Sequence, residues 1–444
     1  MGWYARTVNL PCMLHGHRRR PLPLRWVVAP GLLALVASAC STKPAPTAAR
    51  SVTATVAQSP SPTATVAPTP TATPAPTPAA TTPKPAVTTP RPSTPRPAPT
   101  TPAPPVPAGP PASAFPVAAN FATALAFAPD GRLFWAERAG RVMVWQNGGA
   151  KVFATVNAAT TEAGGGYSER GLLGLAISPT FAADHHVYAF YSDGADLSVQ
   201  HVVRWTDNGG TGVGATTILT LPAGGDCCHK GGRLAFGPTD GKLYVTLGEE
   251  HNPDEAQVTT SPLGKVLRYN SDGSIPADDP YAAQGSAVWA SGFRNPFGIA
   301  ISASGQVAVT NNGPTGDNNS PPTGYDTLVF SVAKRGVYQW PDCYGYSHPI
   351  PGRSCTGNLI PPDWSSEAPP AVVPTGATFV DGAGPAGLAG HLVFCTDAAG
   401  GMIFSPGSPH GTVAPGPGSC RLDIVQGPDH AVYFSDEGHI YRQG

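Results

Sequence analysis

The chain has 444 residues, of which 52 are Gly and 53 are Pro, and only 12% of the residues are charged. That composition excludes a coiled coil or a helical bundle, since those folds are rich in Ala, Glu, Lys and Leu. The formal net charge is −1, and because no basic block occurs, the composition does not indicate nucleic-acid binding. The first acidic residue is Asp130, so residues 1–111 carry only basic charges. The remainder has 28 acids against 17 Lys and Arg, a net charge of −11.

Residues 1–40 have the organisation of an export signal. An Arg-rich segment at 18–25 precedes an apolar stretch at 26–36 that is too short to cross a bilayer, and small residues then lead to Cys40. A small-residue triplet that ends in Cys resembles a bacterial lipobox, in which the Cys becomes lipidated. We therefore expect an exported protein at the cell surface or in the periplasm. Its only link to the membrane would be a lipid on Cys40, with ordinary secretion as the alternative.

The segment 41–111 contains 22 Pro and 17 Thr. Such a sequence has too few apolar side chains to bury a core, so it is expected to be disordered or polyproline-like. It predicts a tether or a passive spacer, without chemistry of its own, that leads to the body of the protein at 112–444.

The body consists of a repeated all-β unit, in which three short apolar strands are separated by turns rich in Gly, Pro and Asp. Its copies occupy 125–145, 173–206, 233–269, 298–332, 376–406 and 422–444. Six units of this kind predict a six-bladed β-propeller, in which radial repetition hides the sheet edges. Because the last copy ends after its third strand, residues 115–121 are expected to supply the fourth strand and close the ring.

The body contains six cysteines, and an even number in an exported domain favours disulfides. Cys343 and Cys355 bracket a loop and are expected to pair. Cys395 and Cys420 lie in successive units and form the next candidate pair, which leaves the adjacent residues Cys227 and Cys228 for a vicinal disulfide. A metal site is the less favoured alternative, because no second CxxC follows.

The segment 226–233, Asp-Cys-Cys-His-Lys-Gly-Gly-Arg, precedes the inner strand of the third unit. Inner strands line the central channel of a propeller, where ligands bind. His229 suits general-base work there, because the unperturbed pKa of His is about 6.5. A loop His with a purely structural role is the alternative.

Two further segments carry candidate binding groups. Arg294 offers a fixed fork of donors to a carboxylate or oxyanion, and Asn295 can both donate and accept. An Arg that only bridges two blades is the alternative. At 311–314, Asn-Asn-Gly-Pro, carbonyl oxygens at a turn are suited to a hard cation such as Ca²⁺.

Four spans resemble one family when taken together. They are Glu169–Pro179, His229–Gly248, Leu263–Pro280 and Trp289–Gly298. In this order they are similar to the glucose/sorbosone dehydrogenases, the soluble quinoprotein sugar dehydrogenases, and the resemblance covers 115–444. It implies a six-bladed propeller that binds pyrroloquinoline quinone (PQQ) and Ca²⁺.

The resemblance also implies how the substrate is handled. His229 matches the family's catalytic base, which takes the proton from the anomeric hydroxyl of an aldose while hydride moves to the quinone, giving a lactone. Glu169 matches a position close to the sugar, and Asp226 is placed to tune the pKa of His229. The reduced cofactor would pass its electrons to an external acceptor.

On the cofactor side, Arg294 and Asn295 match PQQ contacts, and the carbonyls of Gly313 and Pro314 match Ca²⁺ ligands. The Lys and Arg that quinone-binding members carry in the fifth unit are missing, since the stretches 379–382 and 396–401 contain no basic residue. Three carboxylates need such partners.

Basic residues outside the fifth unit are candidates for this role. Lys230 is the first of them, and the pair Lys334–Arg335 is the second.

Two other functions remain open on the same scaffold. A propeller without the cofactor would serve as a cell-surface module that binds sugars or a protein. A metal-dependent lactonase would need Glu, Asp and Asn converging on one ion, and no such set is evident in the sequence.

Overall fold

The computed structural model describes residues 110–224, 227–316 and 323–444. The expected signal at 1–40, nearly all of the linker, the lipidation site Cys40 and the candidate Asp226 lie outside the described residues.

The first half of the described chain forms three four-stranded antiparallel sheets, here called blades 1 to 3. The strand β1 (Val117–Ala118) precedes them. Blade 1 consists of β2 (Ala122–Phe127), β3 (Leu133–Glu137), β4 (Arg141–Gln146) and β5 (Gly149–Thr155). Blade 2 consists of β6 (Leu172–Ile177), β7 (His186–Ser192), β8 (Val199–Asp207) and β9 (Gly212–Pro222). Blade 3 consists of β10 (Gly231–Phe236), β11 (Leu243–Leu247), β12 (Lys265–Tyr269) and β13 (Val288–Ser291).

The second half forms blades 4 to 6, with a hairpin inserted in blade 4. Blade 4 begins with β14 (Asn295–Ile301), β15 (Val307–Asn312) and β16 (Thr327–Val329). The hairpin is β17 (Cys343–Tyr344) and β18 (His348–Pro349), and β19 (Trp364–Ser365) completes the blade. Blade 5 consists of β20 (Pro374–Phe379), β21 (Leu392–Thr396), β22 (Met402–Ser405) and β23 (Thr412–Pro415). Blade 6 consists of β24 (Ile424–Gln426), β25 (Val432–Ser435), β26 (His439–Gln443) and the early strand β1.

Helices are few and short. One α-helix, α1 (Phe181–Asp184), and three 3₁₀ turns, Ala112–Ala114, Pro253–Gln257 and Ala282–Gln284, occur in the described chain. None of the helices in this part is both long and apolar enough to span a membrane.

The turn between β2 and β3 shows why the sequence folds into tight hairpins. The backbone of Ala128 donates to Arg132 at 2.9 Å, and Gly131 between them has a φ of +82°, a conformation that favours glycine. The Asp130 carboxylate accepts from the Arg132 amide at 3.1 Å and so fixes the same turn.

The ring closes as the sequence predicts. The backbone of Val117 lies opposite Ile440, and Ala118 lies opposite His439, so the start of the body supplies the outer strand of blade 6. Trp135 and Tyr433 pack with these strands in the core between blades 1 and 6. The six-bladed all-β propeller is therefore confirmed.

Replacing Ile440 by Ala should weaken this closure. Its side chain is fully buried, and such a truncation removes about 2–5 kcal/mol from the free energy of unfolding. Denaturant unfolding measures the loss, with His439→Ala as the matched control, because His439 is exposed on the same strand and should change stability by about 0.5 kcal/mol at most. Equal stability of the two variants would contradict a role for this contact in closure.

Three disulfides join the pairs that the sequence predicts. Cys343 and Cys355, whose Cα atoms are 5.5 Å apart, tie the inserted hairpin to the loop that follows it. Cys395 on β21 is bonded to Cys420, just before β24, and so links blades 5 and 6. Cys227 and Cys228 form a vicinal disulfide directly before His229.

Candidate active site

The first strands of neighbouring blades pack side by side around the central channel. We call the end at which β2, β6, β10, β14, β20 and β24 begin the upper mouth. Because strands within a blade are antiparallel, the segments that follow β3, β7, β11, β15, β21 and β25 reach the same mouth. Any group on these two sets of segments can therefore contribute to one site.

His229 is held at the upper mouth by unusual backbone. Its φ is +61°, and its carbonyl lies so close to Gly248 that a Cβ added there would be 1.8 Å from the carbonyl oxygen. Glycine at 248 therefore permits β10 and β11 to meet at this point. The His229 side chain is 4% exposed, and its Nδ1 is hydrogen-bonded to the carboxylate of Glu249.

A second imidazole lies against the first. The rings of His229 and His251 are stacked with centroids 4.1 Å apart and planes at 21°. Burial lowers the pKa of His229 well below 6.5, and the positive charges of Arg294, His251 and Lys230 act in the same direction. His229 is consequently neutral at pH 7 and able to accept a proton.

Glu169 joins three blades at this mouth. One carboxylate oxygen accepts from the backbone amide of His229 at 2.8 Å and from Asn295 Nδ2 at 3.0 Å. Burial raises the pKa of Glu169, while these hydrogen bonds and the charge of Arg294 oppose the rise. The Asn295 Oδ1 accepts from the Gly231 amide at 3.1 Å. The structure thus brings together His229, Glu169 and Asn295, which the sequence singled out separately.

Arg294 lies beside this group and is only 2% exposed. Its Nη1 donates to the Gly313 carbonyl at 2.6 Å, and its Nη2 donates to Thr315 Oγ1 at 2.8 Å. The guanidinium carbon is 5.6 Å from the centre of the Trp340 ring. The carbonyl suggested as a Ca²⁺ ligand therefore already accepts from a positive group.

The oxygen atoms at 312–314 nevertheless have the chemistry of a Ca²⁺ site. Asn312, Gly313 and Pro314 line one pocket with Trp340. Within the described residues, the buried Asn312 Oδ1 has no hydrogen-bond partner. An orphaned amide oxygen next to two carbonyls fits a hard cation, provided that Arg294 gives up its contact with Gly313.

Lys230 points into a buried ion pair instead of a ligand site. Its side chain has no exposed surface, and its Nζ contacts the carboxylate of Glu250, which is also fully buried. The other Glu250 oxygen accepts from Gln200 Nε2 at 2.7 Å. Lys230 is therefore paired with Glu250, which in turn contacts blade 2 through Gln200.

Lys334 and Arg335 lie at the other end of the propeller. They follow β16, which runs away from the upper mouth, and their side chains donate to the carbonyls of Asp278 at 2.7 Å and Pro280 at 2.8 Å. These carbonyls belong to the loop between β12 and β13, at the lower end. The suggestion that this pair replaces the missing cofactor contacts is therefore wrong.

A different basic residue, Arg421, stands at the upper mouth of blade 6. Its guanidinium donates to the Asp397 carbonyl, and the Asp397 amide donates to Val373 at 2.9 Å. The Val373 amide in turn donates to Asp326, whose other oxygen accepts from the Gly313 amide at 2.8 Å. This series of contacts connects Arg421 with the turn beside Arg294.

Sequence reasoning missed Glu249, His251 and Arg421. The signal was present, because Gly248-Glu249-Glu250-His251 follows the second strand of the third unit. In an antiparallel blade, that strand ends where the first strand begins. Arg421 could have been found in the same way, since it immediately precedes the first strand of the sixth unit.

Comparison with known proteins gives consistent matches. The model of the glucose/sorbosone dehydrogenase family matches residues 120–405. Quinoprotein glucose dehydrogenase B of Acinetobacter calcoaceticus is 30% identical over 256 residues, 50% of this chain and 50% of that protein. Aldose sugar dehydrogenase YliI of Escherichia coli K12 is 30% identical over 240 residues, 49% of this chain and 58% of that protein. The chain thus spans about half the length of these relatives.

A solved structure extends the match across the propeller. The oxidoreductase (glucose dehydrogenase) of Thermus thermophilus is 28% identical with a TM-score of 0.61, and the match covers 73% of this chain and 96% of that one. The family model alone covers more than half of the present sequence. The chain therefore belongs to the glucose/sorbosone dehydrogenase family.

Proposed function

We propose that the protein is an exported oxidoreductase that oxidises the anomeric hydroxyl of an aldose to a lactone, with PQQ and Ca²⁺ as cofactors and an external electron acceptor. The observation that carries the proposal is a buried, neutral His229, hydrogen-bonded to Glu249, at a mouth that also contains Arg294. Family membership and the quinoprotein relative support the choice of reaction.

His229 acts as the base in this proposal. With Nδ1 donating to Glu249, Nε2 is the nitrogen that accepts the proton of the sugar hydroxyl. The carboxylate of Glu249 stabilises the imidazolium that forms and fixes the ring orientation. Glu169 anchors the His229 backbone and Asn295 together, so the base and the cofactor side of the mouth keep their relative positions.

The residues that would hold PQQ are Arg294, Asn295 and Arg421. When bound, PQQ supplies the two-electron acceptor for the hydride of the sugar. Arginine forks suit its carboxylates and quinone oxygens. The basic groups that contact PQQ would then come from blades 4 and 6. They would replace the Lys and Arg that this chain lacks in blade 5.

Ca²⁺ would be held by the carbonyls of Gly313 and Pro314 with the Asn312 amide oxygen. The ion and the Arg294 guanidinium cannot both occupy the Gly313 carbonyl without repulsion. We expect Arg294 to turn towards the anionic cofactor when the ion binds, so the two ligands should bind cooperatively.

Reconstitution tests the proposed activity. The purified protein is mixed with PQQ and Ca²⁺, desalted, and assayed for dye reduction with several aldoses. Retained quinone absorbance and aldose-dependent reduction are expected. If the protein retains no quinone and reduces no dye, the proposal is wrong. That result would favour the alternative, a cofactor-less module that binds sugar or protein. The absence of basic residues at the fifth-unit positions is consistent with this alternative. Direct titration with the same sugars would then test that alternative.

Replacing Arg421 by Gln should weaken PQQ binding by roughly 10- to 100-fold, because a hydrogen bond to a charged group contributes about 1.5–3 kcal/mol. Titration of the apoprotein followed by quinone absorbance measures the dissociation constant. Arg335→Gln is the matched control, since Arg335 lies at the lower end and should leave that constant unchanged. Equal affinity of the Arg421→Gln and wild-type proteins would remove Arg421 from the cofactor site.

Export and a lipid on Cys40 remain part of the proposal on the strength of residues 1–40 alone. Labelling of expressing bacteria with a fatty-acid probe, in the wild type and in Cys40→Ala, tests the anchor directly. Labelling that persists in the variant would contradict it.

A further inference from the structure

The vicinal disulfide of Cys227 and Cys228 lies directly beside the candidate base. Their Cα atoms are 3.8 Å apart, and the next residue is His229. Cys227 is buried, whereas Cys228 is only partly buried. The Cys227 carbonyl accepts from the Glu169 amide at 2.8 Å, a contact that does not involve the sulfurs.

A histidine, His251, lies close to the two sulfurs. Each of Cys227, Cys228 and His251 presents a potential ligand atom, and these atoms lie within 4.8 Å of one another. In a tetrahedral zinc site, with Zn–S about 2.3 Å and Zn–N about 2.0 Å, ligand atoms are roughly 3.3–3.8 Å apart. Opening of the S–S bond and a shift of about 1 Å at His251 would satisfy this geometry.

We propose that the reduced Cys227–Cys228 pair and His251 form a redox-gated site for a soft divalent ion such as Zn²⁺. Two thiolates and an imidazole are a donor set that Zn²⁺ prefers, whereas Ca²⁺ prefers oxygen. In the disulfide state the sulfurs are bonded to each other, so the site does not exist. The site differs from the oxygen pocket at 312–314 in both position and chemistry.

The redox step is balanced by a dithiol reductant. The S–S bond accepts two electrons and two protons and becomes two thiols, while the dithiol becomes a cyclic disulfide. Zn²⁺ then displaces the two thiol protons into solvent, so binding is tighter at higher pH. The remaining coordination position is left for water or another small ligand.

An ion bound at His251 should affect the candidate base, His229. His251 is stacked on His229, so the shift of His251 that coordination requires moves the ring packed against the group that must accept a proton, while the two thiolates balance the charge of the ion. If the proposed dehydrogenase activity holds, the reduced and metal-loaded protein should turn over more slowly than the oxidised one. Metal binding itself does not depend on that activity and is measured without PQQ or sugar.

Competition between the protein and a chromophoric zinc chelator tests the proposal. The protein is reduced with dithiothreitol and desalted without oxygen, and an untreated sample is run beside it. We expect one Zn²⁺ per reduced chain and none per oxidised chain. Replacement of Zn²⁺ by Co²⁺ should add a sulfur-to-metal charge-transfer band in the near ultraviolet.

Variants assign the ligands. His251→Asn and Cys227→Ser should lose the bound ion and the cobalt band. Asn suits position 251, because the φ there is +60° and Asn tolerates that conformation. The double variant Cys343→Ser/Cys355→Ser is the control, because it removes two cysteines away from the site. It should bind Zn²⁺ as the wild type does.

Several outcomes would overturn the proposal. They are a reduced protein that takes no Zn²⁺, an oxidised protein that binds equally well, and a His251→Asn variant that keeps both the ion and the cobalt band. Because all three are read without cofactor or substrate, they are distinct from a failure of the dehydrogenase assay.

Discussion

Replacing His229 by Asn is expected to lower kcat for aldose oxidation by roughly 10²–10⁴-fold, the contribution of a positioned base. The variant keeps a side chain that tolerates the φ of +61° at this position, whereas Ala would add backbone strain. Arg294 and Arg421 are untouched, so the dissociation constant for PQQ should change little. Dye-reduction kinetics and quinone titration measure the two quantities on the same preparation.

The pH dependence of the wild-type enzyme provides an independent check on the same residue. Burial lowers the pKa of His229 well below 6.5, so the base is already neutral at pH 6.5. The value of kcat/KM should therefore stay level from pH 7 to below 6.5 and fall only at more acidic pH. An acid limb centred at 6.5 or above, or a His229→Asn variant with unchanged kcat, would show that His229 is not the base.

The same lowered pKa has a cost in stability at acid pH. Below 6.5 the unfolded chain binds a proton at His229, while the folded chain does not until its own, lower pKa is reached. The unfolded state then holds more protons, so the free energy of unfolding falls as the pH falls through this window and is unaffected above it.

The repeat pattern was sufficient to predict the propeller, because each unit carries the period-two strands and Gly/Pro/Asp turns that local physics requires. Closure by residues 115–121 followed from the missing fourth strand of the last unit. The placement of His229 at the central channel followed as well, because its segment precedes an inner strand. Both predictions depend only on the order of the strands, which the local sequence pattern is sufficient to indicate.

The partners of the charged side chains could not be predicted in the same way. Lys230 is next to His229 in sequence, yet its long side chain turns into the interior to meet Glu250. Arg294 donates a hydrogen bond to the Gly313 carbonyl, which the sequence predicted to be a Ca²⁺ ligand. Each choice depends on which desolvated oxygen lies within reach, and that depends on how loops from different blades pack, which no local pattern encodes.

The buried pair of Lys230 and Glu250 should dominate the stability of the upper mouth. Replacing Lys230 by Met leaves the Glu250 carboxylate without its counter-charge in a site from which water is excluded, and removing one partner of such a pair costs about 3–5 kcal/mol. Burial already raises the pKa of Glu250 above its ordinary value despite the ammonium group. Without Lys230 that pKa should rise further, so the destabilisation should grow with pH until the carboxyl group ionises in the folded state.

A double-mutant cycle separates the loss of charge pairing from the loss of packing. Lys230→Met/Glu250→Gln removes both charges and keeps one acceptor oxygen, for either the Gln200 amide or the Gly224 amide. Because no unpaired charge is left buried, it should be more stable than Lys230→Met alone. Lys334→Met is the control, because that exposed lysine should matter by about 0.5 kcal/mol at most. Denaturant unfolding at pH 6 and pH 8 of the wild type, Lys230→Met, Glu250→Gln and the double variant gives the four free energies of the cycle, and Lys334→Met is measured beside them. If the double variant is no more stable than Lys230→Met and neither depends on pH, then the lysine acts through its packing and not through its charge.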